Sequence, residues 1–260
     1  MNLSLNELAA DENVAQAEAA DAEQHIAARD YDQWLAQGTL SARWARFWFS
    51  PRRTLSMNTP ARHLPESLSL KRSDRLLDVG CGCAGLLMYL DRRVGFEQPM
   101  EGLDCSPRMV EWARTEIRAR ELEGRLRVQL GQATRLPYPD GAFDAILCTY
   151  VIKHLSDPLF REMLREVRRV LKPGGALCLW EAAPSRLAFM QAWNLKLLRI
   201  GVSTVRLRSD EEVRGFLEDA GFQGLRPFGQ GHRYYYYPPL RRTGFIARKA
   251  CCSETTVRRP

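Results

Sequence analysis

Long apolar runs are missing from this sequence of 260 residues. Nothing in it approaches the roughly 18 consecutive apolar residues that cross a bilayer, which excludes a helical membrane span. The first twenty residues, Met1 to Ala20, are acidic and polar and lack the basic flank and apolar centre of a secretory signal. A cytoplasmic location is therefore the expectation. The seven cysteines are an odd number, scattered at 81, 83, 105, 148, 178, 251 and 252. Several fall in predicted strands, where a thiol packs as a small hydrophobe, so they are read as reduced. Cys81 and Cys83 have too few companion ligands for a metal site, and no metal is expected.

What is present suits one ordinary globular domain with a short appendage, because 45% of residues are hydrophobic and 27% charged. The charge is uneven. Residues 1–30 hold seven acids against one base, which leaves the rest of the chain strongly basic within an overall net charge of +7. A basic body suits anionic partners such as nucleic acid, phosphorylated metabolites or lipid surfaces. The alternative is that arginines such as Arg114, Arg118, Arg161, Arg165 and Arg168 occupy the solvent faces of helices and keep the protein soluble.

Four regions follow from the composition. Residues 1–30 form an acidic, flexible lead-in, poor in large apolar groups. Residues 31–70 form a helical N-terminal cap or lid. Its first part is aromatic and basic (Tyr31, Trp34, Arg43, Trp44, Arg46, Phe47, Trp48, Phe49, Arg52, Arg53), and Trp44, Phe47 and Trp48 share one helical face. That helix either lies at a membrane interface or lid, or simply covers the core. Residues 71–250 form the main domain, within which 181–208 break the rhythm as an apolar and basic helical insertion placed to roof a pocket. Residues 251–260 are a short basic tail.

The main domain alternates strand and helix. Leu76 to Val79 reads as a buried strand, Gly80 to Gly85 as a glycine-rich turn and Leu86 to Arg92 as a helix. A second strand, Met100 to Leu103, ends at Asp104, and Ser106 caps a helix beginning at Pro107, with Val110, Ala113 and Ile117 inward. Strands at Leu126–Leu130 and Asp144–Cys148 follow, separated by the turn at Pro137–Gly141. Asp157-Pro158 opens a helix whose Leu159, Met163, Val167 and Leu171 recur every four residues. Lys172-Pro173-Gly174-Gly175 then stops it before a strand at Ala176–Trp180. Ser209 starts a capped helix ending at Gly221, and strands near Phe222–Phe228 and Thr243–Ala247 complete the chain. The fold class is α/β: a Rossmann-like, doubly wound, seven-stranded and mostly parallel sheet with helices on both faces, plus the N-terminal helical extension. Ligands of such sheets lie at the carboxyl ends of the strands.

The strongest motif is Asp78-Val79-Gly80-Cys81-Gly82-Cys83-Ala84-Gly85 between the first strand and helix. Glycine tolerates positive φ and lets a ligand approach the backbone. Taken alone, Gly80, Gly82 and Gly85 also satisfy the dinucleotide fingerprint. Asp78 separates the two cases. A carboxylate there accepts from loop amides, or through water from an ammonium group, and sits poorly beside a pyrophosphate.

Residues from about 75 to 180 resemble the class I S-adenosylmethionine-dependent methyltransferases, of the subgroup that includes ubiquinone and menaquinone methylases and many small-molecule methylases. The resemblance implies S-adenosyl-L-methionine as cofactor and S-adenosyl-L-homocysteine as product. It implies that Asp78, Gly80, Cys81 and Gly82 cradle the methionine half, and that Asp104 binds the two ribose hydroxyls, which one bidentate carboxylate can meet. Gln132, Ala133 and Thr134 would hold adenine, with Cys105, Met109 and Cys148 also lining the site. Two departures stand out. Gln132 replaces an acid that accepts from the adenine amino group, and Ala84 replaces a third glycine. Phe143-Asp144-Ala145-Ile146-Leu147 and Leu171-Lys172-Pro173-Gly174-Gly175 complete the match.

Methyl transfer from a sulfonium is an in-line displacement, in which the protein holds the acceptor and strips away water. An oxygen acceptor must also lose a proton. His154, just after the fourth strand, is the candidate general base, since an imidazole ordinarily titrates near pH 6.5. The alternative is a histidine that packs against the cofactor or caps a loop. Cys148 stands where cytosine-methylating enzymes of this fold place a nucleophile, but Leu147 replaces the proline they need, so an inert thiol is favoured. Tyr234 to Tyr237 with His232 form either an edge strand, which is favoured, or a pocket lining. Cys148-Thr149-Tyr150-Val151 stands where base methylases carry Asn/Asp-Pro-Pro-Tyr, so nucleic acid is not expected as substrate. The expected acceptor is small and hydrophobic, such as an isoprenoid, quinone, sterol or polyketide-like compound. It would be reached through peripheral membrane contact by residues 34–53. An RNA or protein methylase, and a non-catalytic cofactor-binding relative, remain the alternatives.

Overall fold

The structure is a computed structural model and describes residues 26, 28–53, 59–185, 187–198, 205–229 and 241–251. Seven strands run in chain order as β1 (Leu76–Val79), β2 (Met100–Asp104), β3 (Leu126–Leu130), β4 (Phe143–Thr149), β5 (Leu171–Ala182), β6 (Phe222–Pro227) and β7 (Arg242–Lys249). They form one sheet in the order β3-β2-β1-β4-β5-β7-β6. Neighbours from β3 through β5 are parallel. β7 is inserted antiparallel between β5 and β6. The strand order reverses between β1 and β4, which opens the ligand crevice of an open α/β sheet at their carboxyl ends.

The helices are α1 (residues 28–36), α2 (Leu40–Phe49), α3 (Leu64–Leu68), α4 (Gly85–Val94), α5 (Pro107–Arg118), α6 (Asp157–Val170), α7 (Ala188–Leu198) and α8 (Asp210–Asp219). Their starts are written locally. Ser106 accepts from the Met109 amide at the head of α5, and Ser209 and Glu212 form a reciprocal capping box on α8. In α6 the residues Leu159, Phe160, Met163, Leu164 and Val167 are buried, whereas Arg161, Arg165 and Arg168 are exposed. The two faces of the sheet are thereby covered. Leu77, Ile146, Leu179 and Phe245 pack under α6 and α8. Leu76, Leu147, Cys178 and Trp180 pack under α3, α4 and α5. Burying each such large side chain stabilises the sheet sandwich by about 1.5–3 kcal/mol.

Two expectations need adjustment. Lys172 to Gly175 do not separate helix from strand. β5 begins at Leu171, and its pairing with β4 jumps from Phe143↔Leu171 to Ala145↔Ala176, so the extra residues form an irregularity within the strand. The helical cap begins before residue 31, because 28–30 already belong to α1. The cap also has a small core of its own, in which Trp34, Leu35 and Ala42 pack on Met109 of α5. Tyr234 to Tyr237, His232 and the tail beyond Cys251 lie outside the described residues.

Candidate functional site

The loop after β1 uses its glycines for two different reasons. A Cβ on Gly80 would lie 2.2 Å from Val151 Cγ2, so the loop after β4 leaves no room for one unless that side chain moves. A Cβ on Gly82 would meet nothing within 4 Å, so the backbone there faces open space. Both have positive φ, at 76° and 52°. Ala84, at the head of α4, has φ 62°, a left-handed conformation that an alanine adopts only at a cost.

Asp78 does not gather the loop amides. The amides of Gly80 and Cys81 donate to the Leu103 carbonyl at 2.7 and 3.1 Å, and the Gly82 amide donates to Asp104 Oδ2 at 2.8 Å. Asp78 is 1% exposed, and its Oδ1 accepts no hydrogen bond. Burial, aided by the nearby Asp104, pushes its carboxyl well above the usual carboxylate range. An interior oxygen without a donor is costly.

Asp104, at the end of β2, is half-buried. Its Oδ1 accepts from the Ser106 amide at 2.9 Å while Oδ2 accepts from Gly82. Each oxygen retains a further lone-pair site, so the carboxylate is fixed in orientation and can still accept from two more donors. Burial raises its pKa, while the amides of Ser106 and Gly82 pull it down. The adjoining loop after β3 is tied to the same strand end by the Gly131 amide, 3.0 Å from the Asp104 carbonyl. Within that loop Ala133 and Thr134 are buried, and the Gln132 carbonyl accepts from the Arg135 amide at 3.2 Å.

His154 sits on a single 3₁₀ turn, Ile152–His154, beyond the carboxyl end of β4. Its Nε2 is 3.1 Å from the Tyr31 hydroxyl, and the two rings meet edge to face at 5.3 Å. The next residue of α1, Asp32, accepts from the Ser106 hydroxyl at 2.5 Å. Consecutive residues of one helix thus bridge the Asp104 loop and the histidine turn. Burial, with the charges of Glu181 and Asp104, pushes the Tyr31 phenol upward, so its hydroxyl stays protonated.

Beneath that turn lies a buried ion pair. Lys153 and Glu181 are 5% and 1% exposed, with Nζ and Oε1 3.5 Å apart. The Glu181 carboxylate also accepts from the Lys153 amide at 3.1 Å and the Ala182 amide at 2.8 Å, and Lys153 Nζ donates to the Tyr150 carbonyl. Burial lowers the Lys153 pKa, against the pull of Glu181. Tyr150 has φ 58°, another strained position at the sheet's working edge, and its hydroxyl accepts from Arg242 Nε at 2.7 Å.

The structure therefore brings together at this edge Asp78, Gly80, Gly82, Asp104 and Cys105, with His154 reached through α1. Cys81 is buried with its thiol 3.7 Å from the Gly82 carbonyl, and Cys105 is half-buried, its thiol pushed up to about 12 by burial and Asp104. Met109 is shared with the N-terminal cap. Cys148 is 1% exposed and touches Met163 Sδ at 3.8 Å, and burial pushes its thiol well above the ordinary range, which agrees with an inert thiol. Tyr31 was named only as part of the aromatic N-terminal segment, and Asp32, Lys153, Glu181 and Arg208 were not singled out from sequence. Glu181 offered a signal, as an acid ending an otherwise apolar strand. Tyr31 and His154 are 123 residues apart and offered none. Among the described residues no group of three or more histidines, cysteines and acids could hold a metal ion.

Comparison with known proteins agrees with this geometry. Residues 76–175 match the model of a methyltransferase domain. The chain is 33% identical over 127 residues to the demethylmenaquinone methyltransferase of Geobacillus kaustophilus, covering 48% of this chain and 53% of that protein. It is 33% identical over 138 residues to the ajmaline N-methyltransferase of Rauvolfia serpentina, covering 51% and 46% respectively. The chain thus spans about half the length of these relatives. A crystal structure of an S-adenosylmethionine-dependent methyltransferase from Aquifex aeolicus superposes with a TM-score of 0.56 at 22% identity, covering 78% of this chain and 100% of that one. The matched segment contains β1 through the start of β5, including Asp78, Asp104 and His154. Residues 76–175 accordingly carry a methyltransferase domain, and over that segment the chain is similar to S-adenosylmethionine-dependent methyltransferases.

Proposed function

We propose that this chain transfers a methyl group from S-adenosylmethionine to a small, hydrophobic acceptor, with His154 as general base when the acceptor atom is oxygen. The residues present fit the cofactor. The buried, donorless Oδ1 of Asp78 suits an ammonium, the open space at Gly82 suits close approach of a ligand, and the fixed Asp104 carboxylate retains acceptor sites for vicinal hydroxyls. Gln132, Ala133 and Thr134 would border the base, with Cys81, Cys105 and Met109 around them. Bound there, the cofactor supplies a methyl carbon activated by its sulfonium.

The observation that carries the acceptor half is the bridge made by α1, whose Tyr31 touches His154 while Asp32 touches Ser106. In the histidine tautomer that carries its proton on Nδ1, the Tyr31 hydroxyl donates and His154 Nε2 accepts. An acceptor hydroxyl then passes its proton to Nε2 through the Tyr31 oxygen, and α1 excludes water from the same space. The hydrophobic character of the acceptor is supported by the insertion helix α7, where Leu187 and Phe189 at its start are 53% and 73% exposed. It is supported also by the relatives named for menaquinone and alkaloid methylation. Peripheral contact with a membrane through residues 34–53 is supported by exposed Leu40 and Phe47 on α2 beside exposed Arg43. Among the described residues no helix is long and apolar enough to cross a membrane.

The test has two arms. In calorimetry, Asp104→Asn turns one accepting oxygen into a donor facing the Gly82 or Ser106 amide, so S-adenosylhomocysteine affinity falls by roughly a hundredfold or more. In transfer assays with labelled S-adenosylmethionine and a panel of reduced quinones, isoprenoid alcohols and alkaloid amines, an organic-extractable product appears. His154→Gln lowers transfer to hydroxyl acceptors by about 10²–10⁴-fold without changing cofactor affinity. Labelling of RNA and of no panel member would sink the proposal.

A further inference from the structure

The turn that carries His154 has little to hold it in place by itself. It is three residues long, and its internal bonds are the His154 amide to the Val151 carbonyl at 3.0 Å and the Leu155 amide to the Ile152 carbonyl at 3.2 Å. Short 3₁₀ turns have poor hydrogen-bond geometry. Yet three carbonyls in and beside it are taken by a segment more than fifty residues away. Arg208 Nη1 donates to the Ile152 carbonyl at 2.6 Å, Nη2 donates to the Leu155 carbonyl at 2.7 Å, and the Arg206 amide donates to the Lys153 carbonyl at 2.8 Å. Arg208 also donates to Asp157 Oδ1, from Nη2 at 2.7 Å and from Nε at 3.2 Å.

Arg208 is 4% exposed, and its guanidinium carbon lies 5.1 and 5.6 Å from the ring centres of Phe160 and Phe216. Its planar fork therefore has its direction set by packing before it meets the turn. Stability is a weak reason for burying a guanidinium, since apolar residues of similar volume often serve as well. Geometry is a better one. Only a planar group with several donors can hold carbonyls three residues apart and a carboxylate together, and these anchors lie on both sides of His154.

We propose that Arg208 is a positioning residue, a clamp that fixes the Ile152–His154 turn so that the imidazole meets Tyr31 in the proton-accepting orientation. The clamp rests on the reading of His154 as base. It makes the segment 205–208, the end of the insertion, a determinant of catalysis without contact with either substrate.

The test uses the full chain, ¹⁵N-histidine labelling and S-adenosylhomocysteine. The signals of His154 are identified by their loss in His154→Gln. In Arg208→Lys, which keeps the charge but not the planar fork, S-adenosylhomocysteine affinity is unchanged. Amide exchange at Lys153, His154 and Leu155 quickens by roughly tenfold or more, the equivalent of losing one hydrogen bond to a charged group. The His154 ring signals move in the direction seen in Tyr31→Phe. Arg208→Met shows the same changes in larger measure, and if it does not fold the lysine variant carries the test. Unaltered exchange and ring signals in Arg208→Lys overturn the clamp alone. Undiminished transfer to hydroxyl acceptors by His154→Gln overturns the base reading and the catalytic sense of the clamp with it, whatever the Arg208 variants show.

Discussion

Alanine at Gly80 should chiefly cost stability and alanine at Gly82 chiefly ligand affinity, although the two glycines are neighbours in one motif and both lie at positive φ. At either site the added Cβ enters the left-handed region, at a cost of about 1–2 kcal/mol. At Gly80 it also comes within 2.2 Å of Val151 Cγ2, and forcing that overlap adds about 1–3 kcal/mol. The expected loss for Gly80→Ala is therefore about 2–5 kcal/mol, a large part of the roughly 5–15 kcal/mol that holds a domain folded. Val151→Ala removes the offending methyl and leaves its own Cβ 3.5 Å away, an ordinary contact. The double variant should thus recover about 1–3 kcal/mol relative to the sum of the two single changes. Gly82→Ala meets no protein atom, so it should lose only the backbone cost of about 1–2 kcal/mol. Its methyl instead projects into the space assigned to the cofactor, and S-adenosylhomocysteine affinity should fall roughly tenfold or more, about 1.4 kcal/mol. Urea unfolding of the four proteins and calorimetry on the folded ones measure all of these quantities. Equal destabilisation by the two alanines, or no recovery with Val151→Ala, would refute the division of labour between the glycines.

Ala84→Gly should change stability by less than about 1 kcal/mol in thermal unfolding, because relief of the left-handed alanine is offset by the added freedom of glycine and the loss of a fully buried methyl. Glu166 has its pKa lowered, chiefly by its hydrogen bonds from Arg169, at 2.7 and 2.8 Å. A depressed carboxylate contributes stability that is complete above its unfolded pKa and is lost as pH falls through the folded value. Glu166→Gln should flatten the acid limb of stability below about pH 4.3 and cost about 1–2 kcal/mol at neutral pH, read by unfolding across pH. Alkylation of the native protein by iodoacetamide at mildly alkaline pH should favour exposed Cys251 among the described cysteines. Burial raises the thiols of Cys81, Cys148 and Cys178 and pushes Cys83 up to about 12. Rapid modification of Cys81 or Cys148, located by peptide mapping, would show the site to be more open than the structure has it.

The parts of the molecule legible in sequence are those governed by local rules. The four-residue recurrence from Leu159 to Val167 marks a helix lying on a sheet, and Ser106 and Ser209 announce helix starts that the structure repeats. Asp78 and Asp104 were readable because the motif around each is contiguous. The reason for Gly80 was not readable, since its crowding partner Val151 lies in another loop. Lys172 to Gly175 have the composition of a turn, and pairing with β4 overrides it. The acceptor side was least legible, because Tyr31, His154, Glu181 and Arg208 meet only through tertiary packing. An arginine at 208 looks like any surface base until its carbonyl partners, over fifty residues away, come into view.

The reversed direction of β7 has a lasting effect on how this fold can be modified. Since β6 runs with the parallel strands and β7 against them, the connection between Phe228 and Arg241 leaves and rejoins the sheet on the same rim where β4 and β5 end. A parallel crossover would have had to return to the opposite rim. A change at either described end, Phe228 or Arg241, is therefore met at that rim and not at the rim where β4 and β5 begin.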